Sequence, residues 1–156
     1  MTTNHTTRLA CVCAVLALSS AGPLRAQMEI GTWVRKAAPG QPGMTMEVST
    51  CCGPAGRRLV YHIVMGNREQ TLTVESPFDG TEVPVLVDGK PIGETMAIKR
   101  LDPHHASTVV KMNGKPFGTS QATLSPNGST LTVENDFGAP MGAQTAGKST
   151  EVWLKK

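Results

Sequence analysis

Four Asp-Gly or Asn-Gly pairs between residues 78 and 137 constrain the fold of this chain most strongly. They are Asp79-Gly80, Asp88-Gly89, Asn113-Gly114 and Asn127-Gly128. Both central residues of a type I′ turn need a positive φ, which Gly and Asn tolerate better than other residues. Short segments rich in Val, Thr, Leu and Met, many of them alternating, lie between the pairs. The pattern predicts consecutive hairpins, that is, an antiparallel meander.

The two central pairs belong to an internal echo. Residues 85–93 (VLVDGKPIG) and 110–118 (VKMNGKPFG) share the turn, a following Lys-Pro and a second glycine. Two hairpins with the same turn chemistry explain the echo, and a duplicated ligand loop is the alternative. Two copies are too few for a solenoid, which needs at least about three repeats.

The rest of the chain is also patterned as a β protein. Met44 to Ser49 alternates strictly, and Arg57 to Met65 is so apolar that we expect it to be covered on both faces. After residue 26 no segment has the periodicity of a helix. The predicted strands are 31–36, 44–49, 57–65, 70–75, 83–87, 95–101, 107–112, 118–124, 130–136 and 149–155. We therefore predict an all-β, antiparallel up-and-down barrel of roughly 8–10 short strands, with a β-sandwich as the alternative.

Residues 1–26 have the pattern of a signal peptide. Residues 1–8 carry one positive charge and no acid. Residues 9–20 (LACVCAVLALSS) are apolar but shorter than the about 20 residues that a membrane-spanning helix needs. Cleavage after Ala26 leaves one domain, residues 27–156, and cleavage after Ala21 is the alternative. The sequence predicts a secreted or periplasmic protein without a transmembrane segment.

Charge argues against one class of partner. The formal net charge of the full chain is +3, and loss of residues 1–26 removes Arg8 and Arg25 but no acid. The remaining domain is close to neutral and poor in aromatic residues. Nucleic-acid binding is therefore not predicted.

Two adjacent cysteines, Cys51 and Cys52, remain after cleavage. An intramolecular disulfide between them has to be vicinal, and export to an oxidising compartment permits it. A stiffened turn or two half-buried thiols explain the pair, and a redox or soft-metal site is the functional alternative. Neither this pair nor the histidines (His62, His104 and His105) has the spacing of a known metal motif, so we predict no metal and no cofactor.

Catalytic motifs are missing from the sequence. It contains no Gly-x-Ser-x-Gly, His-Glu-x-x-His, Cys-x-x-Cys or glycine-rich phosphate loop. We therefore predict no enzymatic activity and name no catalytic residue.

Methionine is frequent at the apolar strand positions. Its flexible thioether chain suits a dense core as well as an adaptable apolar cavity, and both interpretations stay open. The candidates for lining a cavity are Met44, Met46, Tyr61, Met65, Met96 and Met112.

A family resemblance enters at Gly31-Thr32-Trp33. Lipocalin-type proteins open their first strand with Gly-x-Trp, and this chain is similar to small secreted bacterial lipocalin-like (calycin-type) β-barrel domains of unknown function. The resemblance spans about residues 31–155 and includes Asp79-Gly80, Lys99-Arg100-Leu101-Asp102 and Ser125 to Val133 (SPNGSTLTV). It implies that Trp33 packs across the closed end of a barrel and that Arg100 stacks on it. The chain lacks the C-terminal helix and the long-range disulfide of animal lipocalins.

These observations predict a lipocalin-like protein that binds a small hydrophobic molecule without catalysis. One alternative is a structural or protein-interaction module with a filled core. A weaker alternative is a thiol or metal site at Cys51-Cys52. The ligand and the oligomeric state are left open.

Overall fold

The structure, a computed structural model, describes residues 30–138 and 146–156. Ten β-strands account for most of these residues, and none of them lies in a helix. The strands are β1 (Gly31–Arg35), β2 (Gly43–Thr50), β3 (Arg57–Met65), β4 (Arg68–Ser76), β5 (Asp79–Val87), β6 (Lys90–Arg100), β7 (His105–Met112), β8 (Lys115–Leu124), β9 (Thr130–Phe137) and β10 (Gly147–Lys155). The predicted signal peptide lies outside the described residues. Among those residues, no helix has the length and apolarity to cross a membrane.

Each strand pairs antiparallel with its neighbour in sequence, and β1 pairs with β10 to close a barrel. The predicted all-β, up-and-down barrel is confirmed, and the sandwich is not what forms. Antiparallel order puts the connections β2–β3, β4–β5, β6–β7 and β8–β9 at one end, called here the first end. The connections β1–β2, β3–β4, β5–β6 and β7–β8 lie at the opposite, second end.

Two of the four Asx-Gly pairs form the predicted tight turns. Asp88 and Gly89 have φ values of 47° and 77°, and Asn113 and Gly114 have 49° and 76°. These are the two positive angles of a type I′ hairpin. The other two pairs differ from the prediction: Asp79-Gly80 begins β5, and in Asn127-Gly128 only the glycine has a positive φ. Both of these pairs lie at the first end, where Asp79-Gly80 follows a two-residue connection and Asn127-Gly128 lies within a five-residue one.

The sequence echo corresponds to two hairpins of the same construction. In each, the strand that follows the turn has extra residues: Pro84 and Leu86 pair with Thr95 and Pro91, and Val110 and Lys111 pair with Gly118 and Pro116. The hairpins are also linked, because Asn113 N–H donates to the Gly93 carbonyl at 2.8 Å. Such bulges increase the local twist of a strand and redirect its side chains.

The core lies inside the barrel. Trp33, Val74 and Val85 are fully buried there, with Trp153 almost so. β3 departs from the sequence analysis, which expected cover on both faces. Leu59 and Ile63 on its inner face are buried, but Val64 on the outer face is 48% exposed, because the strands that the structure describes form a single layer.

A close approach between β8 and β9 explains the glycine that ends the second copy of the echo. A Cβ at Gly118 would lie 2.3 Å from Phe137 Cδ1 and 2.6 Å from the Asp136 carbonyl oxygen. These distances are far below van der Waals contact. Backbone and a packed ring must shift to admit even one methyl group.

Replacing Gly118 with alanine is expected to lower the free energy of unfolding by about 1–3 kcal/mol, the usual cost of overpacking. Urea denaturation followed by circular dichroism measures it. Gly43→Ala is the matched control, because nothing lies within 4 Å of a Cβ there. Equal stabilities of the two variants would contradict this account of the β8–β9 contact.

Candidate ligand-binding cavity

A cavity of about 360 Å³ lies inside the barrel. Its position follows from side-chain size. The stretches of β7 and β8 that line it carry small inward residues, namely Ala106, Thr108, Ser120 and Ala122. Ala106 and Ala122 are cross-strand partners, so the space beside them stays open. Larger side chains such as Met46 and Trp153 line the cavity from β2 and β10.

The cavity extends along β6. Ile92, Glu94, Met96, Ile98 and Arg100 all belong to its lining, as alternate residues of one strand do when they face inward. Ile92 at the second end is 45% exposed, and the lining continues into Asp102 and Pro103 at the first end. The cavity is therefore elongated, with solvent-exposed residues at both ends of β6.

Four of the six cavity candidates named from the sequence line this space. Met44 and Met46 contribute from β2, Tyr61 from β3 and Met96 from β6. They share the wall with Leu59, Ile63, Leu72, Val110, Leu124, Leu131 and Val133. The lining is thus mostly aliphatic, as apolar small-molecule sites are.

The other two candidates lie elsewhere, and their placement corrects the prediction. Met65 and Met112 are outside the lining, and Met65 is 42% exposed. Each is the last residue of its strand before a two-residue turn at the second end. Alternation assigned them to the inward face, but the strand ends at the rim of the barrel.

A cluster of polar side chains lies in the cavity wall near the seam where β1 pairs with β10. Arg35 Nη1 donates to Glu151 Oε1 at 3.1 Å, and Trp153 Nε1 donates to Glu151 Oε2 at 3.3 Å. Tyr61 packs edge-on against Trp153, with ring centroids 5.8 Å apart. Burial raises the pKa of Tyr61 above its ordinary value, and the Glu151 carboxylate adds to the effect. Tyr61 therefore presents a neutral phenol to the cavity.

The β6–β7 connection is a hydrogen-bonded turn around Asp102. Its Oδ1 accepts from His104 N–H at 2.8 Å and His105 N–H at 2.9 Å, and its Oδ2 lies 2.8 Å from His105 Nδ1. The hydrogen bonds lower the pKa of Asp102, that from the His104 backbone most strongly. His104 Nδ1 lies 3.1 Å from the Leu124 carbonyl oxygen. Both histidines thus have local structural partners.

Glu94 is the anomalous residue of the cavity. It is 3% exposed, and its Oε1 is buried with no hydrogen-bond donor among the residues that the structure describes. Burial raises the pKa of Glu94 to about 7. Glu151 and Asp102, the other acids of the lining, both have named partners. Glu94 therefore stands out as an acid kept from water in a mostly apolar wall.

The sequence analysis did not identify Glu94, although a signal was present. Ile92, Glu94, Met96 and Ile98 share one phase of β6, so the acid occupies an apolar position of the alternation. The predicted strand, 95–101, begins one residue after Glu94 and so leaves it out. In the structure β6 begins at Lys90, with the bulge inside the strand.

Trp33 and Arg100 are the residues to which the resemblance assigned structural roles. Trp33 is fully buried in the core and is not part of the cavity lining. The guanidinium carbon of Arg100 lies 5.5 Å from the centroid of the Phe78 ring, within the range of a cation–π contact. The stacking of Arg100 on Trp33 stays a prediction.

Cys51 and Cys52 are joined by a disulfide in the β2–β3 connection, with their Cα atoms 3.8 Å apart. Cys52 has a φ of 53°. The turn depends on Gly56, where a Cβ would lie 2.2 Å from the Cys51 carbonyl oxygen. The pair lies outside the cavity lining. Within residues 30–138 and 146–156, no three His, Cys, Asp or Glu side chains are grouped so as to hold a metal ion.

Comparison of the chain with models of protein families finds no match, and comparison with curated protein sequences finds no similar protein.

The pH dependence of stability provides a test of the burial of Glu94. A raised pKa means that the folded protein binds the Glu94 proton more tightly than the unfolded chain, whose glutamates titrate near 4.5. The contribution to stability is present below that value and is lost as the pH rises toward 7. Relative to Glu94→Gln, the wild type is expected to lose about 1–2 kcal/mol of unfolding free energy over this interval.

Urea denaturation of both proteins at several pH values measures this difference. The two proteins differ only at residue 94, so the contributions of all other residues cancel in the comparison. Parallel pH profiles would show that Glu94 is solvated, contrary to the structure.

Proposed function

We propose that this protein is a secreted or periplasmic lipocalin-like binding protein, which takes up a small hydrophobic molecule in its barrel and catalyses no reaction. The observation that carries the proposal is the cavity of about 360 Å³ with its mostly aliphatic lining. Cavities that hold small organic ligands have volumes of about 300–1,000 Å³. The signal-peptide pattern of residues 1–26 supports the location, and Gly31-Thr32-Trp33 supports the relation to lipocalins.

The shape of the barrel adds a second argument. About eight strands already give an interior that side chains just fill or that holds one small ligand. Ten strands enclose more space, and small residues on β7 and β8 leave part of it open. The cavity also argues against the alternative of an interaction module with a filled core.

Blocking the cavity tests the proposal. Ala122 lies in the wall between Ala106 and Val133, so a tryptophan there projects into the open space. Wild-type protein is expected to give a saturable fluorescence increase with the neutral dye N-phenylnaphthylamine. Ala122→Trp should weaken this binding by at least about tenfold, or about 1.4 kcal/mol.

Thr123→Trp is the matched control, because Thr123 is the next residue of β8 and is exposed. Circular dichroism and urea denaturation establish that both variants are folded. Absence of dye binding to the wild type, or equal binding to folded Ala122→Trp, would count against an internal ligand.

The disulfide gives a test of the thiol alternative. Because Cys51 and Cys52 lie outside the cavity, replacing both with serine is expected to leave the dye affinity within about threefold. Unfolding experiments on the same variant report what the disulfide contributes to stability. A complete loss of binding by a folded double variant would favour a function centred on the cysteines.

A further inference from the structure

The unpaired acid in the cavity points to the chemistry of the ligand. Resting on the proposed function, we propose that the ligand is an elongated apolar molecule with a basic, hydrogen-bond-donating head group such as a primary amine, and that this head group binds Glu94. The apolar chain then lies along Met96 and Ile98 of the same strand.

Contrast with the other acids of the lining supports this assignment. Glu151 accepts hydrogen bonds from Arg35 and Trp153, and Asp102 from the turn that it organises. The Glu94 Oε1 atom accepts none from the described residues, although Glu94 is only 3% exposed. Leaving a buried polar atom unsatisfied costs free energy, which a donor on the ligand would remove.

A bulge directs the acid inward. Gly93, directly before Glu94, has a φ of 84°, and its carbonyl accepts from Asn113 N–H. A Cβ at Gly93 would lie 2.2 Å from Asn113 Oδ1, so the two hairpins meet closely there. Glu94 consequently projects from a fixed backbone.

The positions of the charged groups set the direction of the ligand. Arg100 lies six residues after Glu94 on β6, roughly 20 Å away at about 3.3 Å per residue. The positive group is thus at the first end, and the acid is toward the second end. Between them the lining offers Met96, Ile98 and Leu72, which suit an alkyl chain.

A basic nitrogen suits Glu94 better than a neutral head group. An ammonium ion donates to the carboxylate and compensates its charge, and charge-assisted hydrogen bonds are about twice as strong as neutral ones. After loss of residues 1–26 the domain is close to neutral, so its net charge attracts neither cations nor anions strongly. A preference for a cation would therefore reflect the local site rather than long-range attraction.

Displacement of N-phenylnaphthylamine by three ligands with the same alkyl length tests the proposal. The ligands are decylamine, decanol and decanoate, each used below its aggregation concentration at neutral pH. Decylamine is expected to bind at least about tenfold more tightly than decanoate. Glu94→Gln should weaken decylamine binding by about tenfold and change decanol binding by less than about threefold.

Glu134→Gln makes the same chemical change at an exposed position on β9 and should leave all three affinities unaltered. Decanoate binding as tightly as decylamine, or an unchanged amine preference in Glu94→Gln, would overturn the inference while leaving the proposed function intact. Failure of the dye and all three ligands to bind would overturn both. The comparison among ligands on the wild type keeps the test decisive even if Glu94→Gln folds poorly.

Discussion

Closure of the sheet by the β1–β10 pair is the interaction on which the other features depend. The register runs through three residue pairs, from Trp33 opposite Lys155 to Arg35 opposite Trp153. Two backbone bonds extend it, from Lys36 N–H to the Val152 carbonyl and from Lys156 N–H to the Thr32 carbonyl. The Arg35–Glu151 ion pair lies across the same seam, with both side chains largely buried. Without this closure, two edge strands would expose unpaired backbone groups, and the interior would open to water.

A closed barrel has one interior, so the sizes of the inward side chains decide whether it is filled. Two tryptophans and several methionines occupy one side of the interior. The side formed by β7 and β8 carries alanine, serine and threonine, which leave space open. The cavity is thus a consequence of unequal residue sizes around a fixed ring of strands. Most polar groups of the lining form hydrogen bonds with protein partners, because an unsatisfied polar group in an apolar environment costs free energy.

The sequence predicted the fold better than it predicted the site. All ten strands were expected, because alternation and turn residues are local signals that a barrel obeys along its whole length. The differences from the prediction also concern local features, namely the start of one strand and the position of two methionines. The predicted strand begins only at Thr95, after the turn-forming residue types Pro91 and Gly93, and so misses the start of β6 and with it Glu94. Met65 and Met112 have the inward phase but lie where their strands end, and phase alone carries no information on depth in the barrel. The cavity depends on which small residues face each other across β7, β8 and β9. The sequence of a single strand does not determine this register between strands.

Glu94 is the place where the sequence conflicts with the fold that it otherwise specifies. Its nearest neighbours in this phase of β6, Ile92, Met96 and Ile98, are apolar, and an apolar residue would suit the wall better than a buried carboxyl group. Such conflicts between local chemistry and fold concentrate at functional sites. A ligand that satisfies the carboxyl group would stabilise the folded state in proportion to its binding, since ligand affinity for the native form adds to stability. The cost that Glu94 imposes on the empty barrel is then a source of selectivity, because only ligands with a suitable head group can offset it.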